Sequence, residues 1–386
     1  MSQRQSIVEC LVIGGGLAGS MTGVRLAAAG REVMVVERER AAHDKVCGEF
    51  LSPEAVGYLR QEGIDARDLG AAEIDWLRFL SGNRVSDVRL PFTALSLSRR
   101  ALDEALLTRA ARLGCEVQRG IAVERLMRAG GAWVAEMGDG SAVNARHVIL
   151  ATGKHDLRGW KRSGSAQDDL VAFKLHWALA PEQLAKLRGA MELYLFRGGY
   201  GGMSLIESDS ATLCLVVRKA VLRRWGGWTQ LLKQIRAENT RVRERLEGAR
   251  PLWERPIAIS AIPYGYFAND SAGIWRVGDQ AAVIPSFTGD GMSIALHSAA
   301  LAAQMLIDGK SPDEHCAALR LQLRNGMRIA TRISRMLVTR SGSVIAAAAM
   351  GLVPQAMRWI AAGTRIPAEA MKHAEGGMHG HEGAIV

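Results

Sequence analysis

The five cysteines of this 386-residue chain, Cys10, Cys47, Cys115, Cys214 and Cys316, are scattered and include no Cys-x-x-Cys pair. That spacing excludes a disulfide framework and a zinc site, and the thiols read as reduced ones in a cytosol. No internal repeat is present, which removes solenoid architectures. A net charge of +10 invites a nucleic-acid reading, but the basic residues are spread out and no recognition motif accompanies them. A phosphate-bearing cofactor, an acidic carrier protein, an anionic membrane surface or an arginine-rich proteome each suit that charge equally. An uninterrupted apolar span is missing as well. Ser343–Ala362 is rich in alanine and aliphatic residues, yet Pro354 and Arg358 break it. A buried or amphipathic helix is expected there, with a surface anchor left open. His373, His379 and His381 sit in a glycine-rich tail with no scaffold to hold them, so no metal is expected. An apolar strand already begins at residue 7, which leaves no room for a signal peptide in this sequence, and a cytoplasmic location is the expectation.

What the chain does have is concentrated at its start. The apolar run Ile7–Ile13 leads into Gly14-x-Gly16-x-x-Gly19, then a helix-like stretch, then Val33-Met34-Val35-Val36-Glu37. This strand–turn–helix–strand order is the context that a dinucleotide-binding glycine fingerprint needs. Gly14 permits the turn, Gly16 admits a pyrophosphate, and Gly19 lets the helix lie close on the strand. The helix start offers free N–H groups and a favourable dipole to the anion. Glu37 follows Gly19 by 18 residues, placed to accept hydrogen bonds from a ribose. With 48% apolar residues the chain can bury a large core spread over two joined domains.

Past Glu37, Ser52 and Pro53 mark a helix start just after the Cys47-Gly48 loop. Residues 74–97 read as strands that leave the nucleotide domain, and Ser98–Leu113 as a helix closed by Gly114. Gly138–Ser141 turns a hairpin, and Val148–Leu150 runs as a separate buried parallel strand into Ala151-Thr152-Gly153. Residues 168–262 read as an antiparallel sheet roofing a substrate pocket, with one basic helix at 219–247 and a tight turn spanning Arg197–Gly202. The chain then returns with Val277-Gly278-Asp279, and Gly289-Asp290-Gly291 opens a long small-residue helix.

Three signals in this order, the fingerprint ending in Glu37, the Ala151-Thr152-Gly153 strand end, and Val277-Gly278-Asp279 with Pro285 and Gly289-Asp290-Gly291, resemble the flavoprotein monooxygenase superfamily of p-hydroxybenzoate hydroxylase fold. The Lys45-Val46-Cys47-Gly48-Glu49 stretch is most similar to its geranylgeranyl reductase branch. The resemblance covers about residues 5–310 and implies an α/β protein: a Rossmann-type FAD-binding domain, an inserted antiparallel substrate sheet and C-terminal helices. The implied division is FAD domain at 1–72, 98–167 and 266–310, substrate domain at 73–97 and 168–265, and a helical region at 311–386. It also implies FAD held by Gly14, Gly16, Leu17, Ala18, Gly19, Glu37 and Arg38 at the nucleotide end. Cys47, Gly48, Arg99, Val123, Gly153, Gly278 and Asp279 would follow along the cofactor, with Pro285, Gly289, Asp290, Gly291 and Met292 at the flavin.

Some features depart from the superfamily. The place of its Asp-Gly motif, which serves FAD and nicotinamide cofactor together, reads Gly153-Lys154-His155-Asp156, although NADH or NADPH remains the expected electron source. The halogenase Trp-x-Trp-x-Ile-Pro motif survives only as Ile262-Pro263, and Tyr194-Leu195-Phe196 partly echoes the aromatic motif of prenyl reductases. The expected activity is therefore monooxygenation or alkene reduction of an apolar, polyketide-like or prenyl-like substrate, free or carrier-bound. Cys47, His155 and Tyr200 are the candidates for the chemistry. The rival is a non-catalytic flavin-binding sensor or scaffold subunit. Peripheral membrane contact is compatible with either, and nucleic acid is not expected as a partner.

Overall fold

The computed structural model describes residues 7–162, 165, 167–339 and 363–375. The apolar stretch 343–362, the histidines at 379 and 381 and the side chain of the histidine at 373 lie outside the described residues. Ile7–Ile13 is central to a seven-stranded sheet ordered Glu116–Arg119, Val33–Glu37, Ile7–Ile13, Ala142–Leu150, Ala132–Met137 and Val123–Ala129, with Trp275–Arg276 beside Ala142–Leu150. Its β-branched residues fit a strand covered on both faces, and Cys10, Leu11 and Val12 are fully buried. Helices α1 (Leu17–Ala28), α2 (Pro53–Gln61) and α3 (Arg99–Arg112) follow the motifs read in the sequence. Ser52 caps α2 and Ser98 caps α3 through their side chains. Two glycines of the fingerprint are required sterically. A Cβ at Gly19 would lie 1.8 Å from Gly14 O, and Gly14 itself sits at φ +107° with Ala151 O in the way of any side chain. Ala142–Leu150 is one continuous strand, not two: its start closes the hairpin and its end runs parallel to Ile7–Ile13.

The second sheet has nine strands and is mixed. Its order is Arg250–Pro251, Leu170–Ala178, Ala211–Arg218, Gly199–Leu205, Gly189–Phe196, Ala72–Ser81, Arg84–Ser96 and Phe50–Leu51, with Ile257–Ser260 also on Leu170–Ala178. Antiparallel pairing fails once, where Gly189–Phe196 runs parallel to Ala72–Ser81 because the chain leaves this sheet after residue 96 and re-enters it at residue 170. The expected turn at 197–202 shrinks to Arg197-Gly198, and Gly199–Gly202 belong to a strand. The expected long basic helix is three: α5 (Lys219–Trp225), α6 (Trp228–Glu238) and α7 (Thr240–Arg245), after a short α4 (Pro181–Leu187). Gly226 adopts the left-handed conformation that ends α5, and Asn239 caps α7, so two local signals overrode the basic periodicity.

Alternation in Leu170–Ala178 sorts that strand's two faces. Val171, Phe173, Leu175 and Trp177 pack with Leu231 and Ile235 of α6. Ala172, Lys174 and His176 point the other way, and Lys174 and His176 meet Glu49 there. Helix α8 (Gly291–Ile307) lies against α1 and α2, and α9 (Pro312–Leu337) packs outside it behind a Ser311–Glu314 capping box. The short α10 (Ala368–Glu375) returns to α8.

Candidate functional site

One cavity of about 620 Å³ runs between the two sheets. Its nucleotide end is walled by Gly14, Gly16, Leu17, Ala18, Glu37, Arg38, Arg99 and Val123. The Glu37 carboxylate is fixed there by accepting the N–H of Gly15 at 2.8 Å and of Glu39 at 3.0 Å. A Cβ at Gly16 would lie 3.1 Å from Lys45 Nζ and 3.5 Å from Arg99 Nη2. Two cations thus face a glycine turn at a helix start, a cradle suited to a pyrophosphate. Asp103 holds both, accepting Lys45 Nζ at 2.8 Å and Arg99 Nε at 2.8 Å.

Farther along, Gly153, Gly278 and Asp279 line the wall, where Asp279 accepts Lys154 Nζ at 3.0 Å. Burial raises the Asp279 pKa, but the charge and hydrogen bond of Lys154 together with the Arg162 and Arg99 charges outweigh it, and the net shift is downward. Gly289, Gly291 and Met292 complete the wall at the start of α8. Gly19, Pro285 and Asp290 do not reach it: Gly19 serves strand–helix packing, while Ile284 and Ser286 line the cavity on either side of Pro285. Asp290 is 2% exposed, its Oδ2 has no hydrogen-bond partner among the described residues, and burial pushes its carboxyl up to about 6.

The opposite end is apolar: Met191, Leu193, Val216, Ile257, Ile259 and Ile262 from the second sheet. Tyr200 is buried there and shares Ser286 Oγ, 3.1 Å away, with Tyr264, whose hydroxyl donates to it at 2.8 Å. Burial raises the pKa of Tyr200. Tyr194 and Phe196, the aromatic echo, point into the core on the far side of the sheet, because they stand out of phase with Leu193 and Leu195.

Cys47 lies on the wall, half-buried, and accepts the Glu49 N–H on Sγ at 3.4 Å. A second thiol, Cys214, also lines the cavity from the sheet, but burial pushes it up to about 12. His155 is an exposed residue on the cavity rim, and its pKa is lowered, first by desolvation and then by Arg38, Lys154 and Arg162. The three candidates are therefore spread along the cavity, with no hydrogen bond joining any two.

Sequence reading missed the group behind Cys47. Glu49 is fully buried at φ +59°, a left-handed conformation that strains a glutamate. Its carboxylate binds the fully buried Lys174 Nζ, accepts from His176 Nε2 at 2.9 Å, and accepts the Arg99 N–H at 2.9 Å. Lys174 also donates to Asp44 at 3.1 Å, and Trp253 stacks on His176 with ring centroids 4.5 Å apart. Burial alone raises the Glu49 pKa, yet the bonds from His176 and Lys174 leave it lowered. Asp44, Glu49 and His176 cluster tightly enough for a cation, and the Lys174 ammonium is the charge between the two carboxylates. Thr364 and Arg365, from the segment before α10, also line the cavity. Arg365 pairs with Glu54 at 2.7 Å and stacks on Phe92 at 4.1 Å.

Residues 7–163 match the FAD binding domain family. A menaquinone reductase of Mycolicibacterium smegmatis is 25% identical over 368 residues, covering 87% of this chain and 85% of that protein. The FixC protein of Salmonella typhi is 29% identical over 169 residues, which span 40% of this chain and only 38% of FixC. In structure, the chain superposes on the myxobacterial chondrochloren halogenase CndH, an FAD-dependent halogenase, with TM-score 0.73 at 20% identity over 87% of this chain and 84% of that one. The chain thus carries an FAD-binding domain over residues 7–163, shares the fold of an FAD-dependent halogenase, and is an FAD-dependent oxidoreductase. The cationic glycine cradle fits such a cofactor.

Proposed function

We propose that this oxidoreductase reduces a carbon–carbon double bond in an apolar, prenyl-like substrate, in the manner of the geranylgeranyl reductase branch. The observation that carries the reading is a half-buried thiol, Cys47, on the wall of a cavity whose substrate end is built from aliphatic side chains. The 25% identity with a menaquinone reductase across most of both chains supports the same choice.

FAD, when bound, supplies the two-electron chemistry. Gly14, Gly16, Leu17, Ala18, Glu37, Arg38 and Val123 would hold its nucleotide end, with Lys45 and Arg99 set toward the phosphates. Gly153, Gly278 and Asp279 would follow it along the wall to Gly289, Gly291 and Met292. Alkene reduction also needs a proton at the second carbon, from an acid within hydrogen-bond reach. Cys47 is the acid we assign, since Cys214 and Tyr200 are held protonated by burial and give up a proton less readily. The apolar wall excludes water from the bond being reduced, and Tyr200, Ser286 and Tyr264 offer hydroxyls to a substrate's polar end. Electrons would come from NADH, NADPH or a separate reductase.

Cys47→Ser tests the assignment. Turnover should fall about 10²-fold, the effect of losing a general acid, with flavin content unchanged. Turnover within a few-fold of wild type in flavin-replete protein would remove the thiol from the chemistry.

A further inference from the structure

The face of α9 that turns away from the protein is basic and apolar at once. Arg320, Arg324, Arg328, Arg332 and Arg335 are all exposed and follow one another at three- or four-residue steps, so they form a single row on a helix of 3.6 residues per turn. Leu321, Ile329 and Met336 are exposed beside that row, by 63%, 40% and 39%, and account for three of the seven large apolar side chains exposed among the described residues. The opposite face, with Leu319, Leu323, Met327 and Ala330, is buried against the body of the protein. The sequence holds no acidic residue from His315 to Ala368, so past its first turn the helix itself carries no negative side chain. Arg320 is partly engaged, donating to Ala268 O and Asn269 Oδ1.

We propose that this face docks on an anionic lipid bilayer. The proposal rests on the apolar-substrate reading above and names the surface from which that substrate would be drawn. The arginine row selects a negative partner. The choice of lipid over nucleic acid comes from the aliphatic side chains set among the arginines: they have nothing to bury against on a phosphate backbone, whereas the acyl boundary accepts them. Location gives the docking a purpose. Gly326 and Ile329 touch the 363–365 segment, as a Cβ at Gly326 would lie 2.9 Å from Thr364 O and one at Gly363 would lie 3.4 Å from Ile329 Cδ1. That same segment supplies Thr364 and Arg365 to the cavity wall. One short stretch of chain thus separates the docking face from the cavity.

Co-sedimentation of the flavin-loaded full chain tests this with phosphatidylcholine vesicles, pure or carrying about one third phosphatidylglycerol. Binding should require phosphatidylglycerol and be lost at high salt. The triple variant Arg324→Glu, Arg328→Glu, Arg332→Glu should lower the partition coefficient on the order of 100-fold. Leu321→Ser, Ile329→Ser, Met336→Ser should lower it by about tenfold and leave the remainder salt-sensitive. Hydrogen exchange on wild-type protein adds a measurement free of variants: vesicles should slow exchange in α9. Equal partition of wild type and both variants, unchanged exchange in α9, or tighter retention by DNA or RNA than by the vesicles would each overturn the proposal. Turnover on a detergent-dispersed alkene is read in parallel. Vesicle binding without turnover defeats the functional reading alone, and turnover without vesicle binding defeats only this one.

Discussion

The two ends of the cavity are built from opposite materials. At the nucleotide end, backbone N–H groups, glycines and the cations Lys45, Arg99 and Lys154 face the space, held in place by Asp103 and Asp279. At the other end the wall is aliphatic, and its polar groups are three hydroxyls that already bond one another. The first end suits a charged ligand whose shape never varies. The second is suited to a substrate recognised by surface burial, about 25 cal/mol for each Å² of apolar contact. The loop from Asp44 to Phe50 joins them: Cys47 faces the cavity, Phe50 pairs with the second sheet, and Glu49 pins both domains through Arg99, Lys174 and His176.

Breaking that joint should give the largest effect. Glu49→Ala leaves Lys174 buried beside Asp44 alone, and removing one partner of a buried ion pair typically costs about 3–5 kcal/mol. Urea unfolding of the variant should show that loss, and Glu49→Gln with Lys174→Met should recover much of it. A loss below about 1 kcal/mol in Glu49→Ala would mean that the ends are not coupled through this residue.

Asp290 comes next, because among the described residues no cation is hydrogen-bonded to its buried carboxylate. Its pKa is raised from 3.8 to about 6, so the folded protein keeps a proton that the unfolded chain has released. The contribution of Asp290 to stability is therefore fully present below about pH 4 and is lost as pH rises through about 6, a change of roughly 2–3 kcal/mol. Asp290→Asn should flatten that slope and raise the melting temperature at pH 7. Parallel pH curves for the two proteins would contradict the burial argument.

A smaller change is expected from Asp279→Ala. Losing a charge-assisted contact on the wall should weaken FAD binding by about 10–100-fold, the equivalent of ~1.5–3 kcal/mol. Equilibrium dialysis of the flavin measures it, and full flavin occupancy on purification would remove Asp279 from the cofactor site.

How much of this could be read from the chain follows the same division. The nucleotide end rests on local rules, a glycine turn between strand and helix, so Gly14, Gly16, Glu37 and the caps at Ser52 and Ser98 were legible. The Lys174–Glu49 joint pairs residues 125 apart in sequence, which no local pattern reports. A trace was present all the same: Lys174 and His176 stand two apart in an otherwise apolar strand, so they share one face, and a polar pair there needs a partner. Arg365 was out of reach for the same reason, since its contacts with Glu54 and Phe92 exist only once the chain folds back. The parallel pairing of Gly189–Phe196 with Ala72–Ser81 likewise comes from chain connectivity, not from either segment's composition.

The central claim is that the apolar end receives an alkene and the protein reduces it. The direct measurement is made without oxygen. Flavin in the purified protein is reduced with dithionite, excess reductant is removed, and a prenylated quinone is added while the flavin spectrum is followed. The account predicts that the oxidised spectrum returns on adding substrate alone, with one double bond of the side chain saturated and the product two hydrogens heavier. Flavin that stays reduced until oxygen is admitted, followed by a product that has gained an oxygen atom, would contradict it.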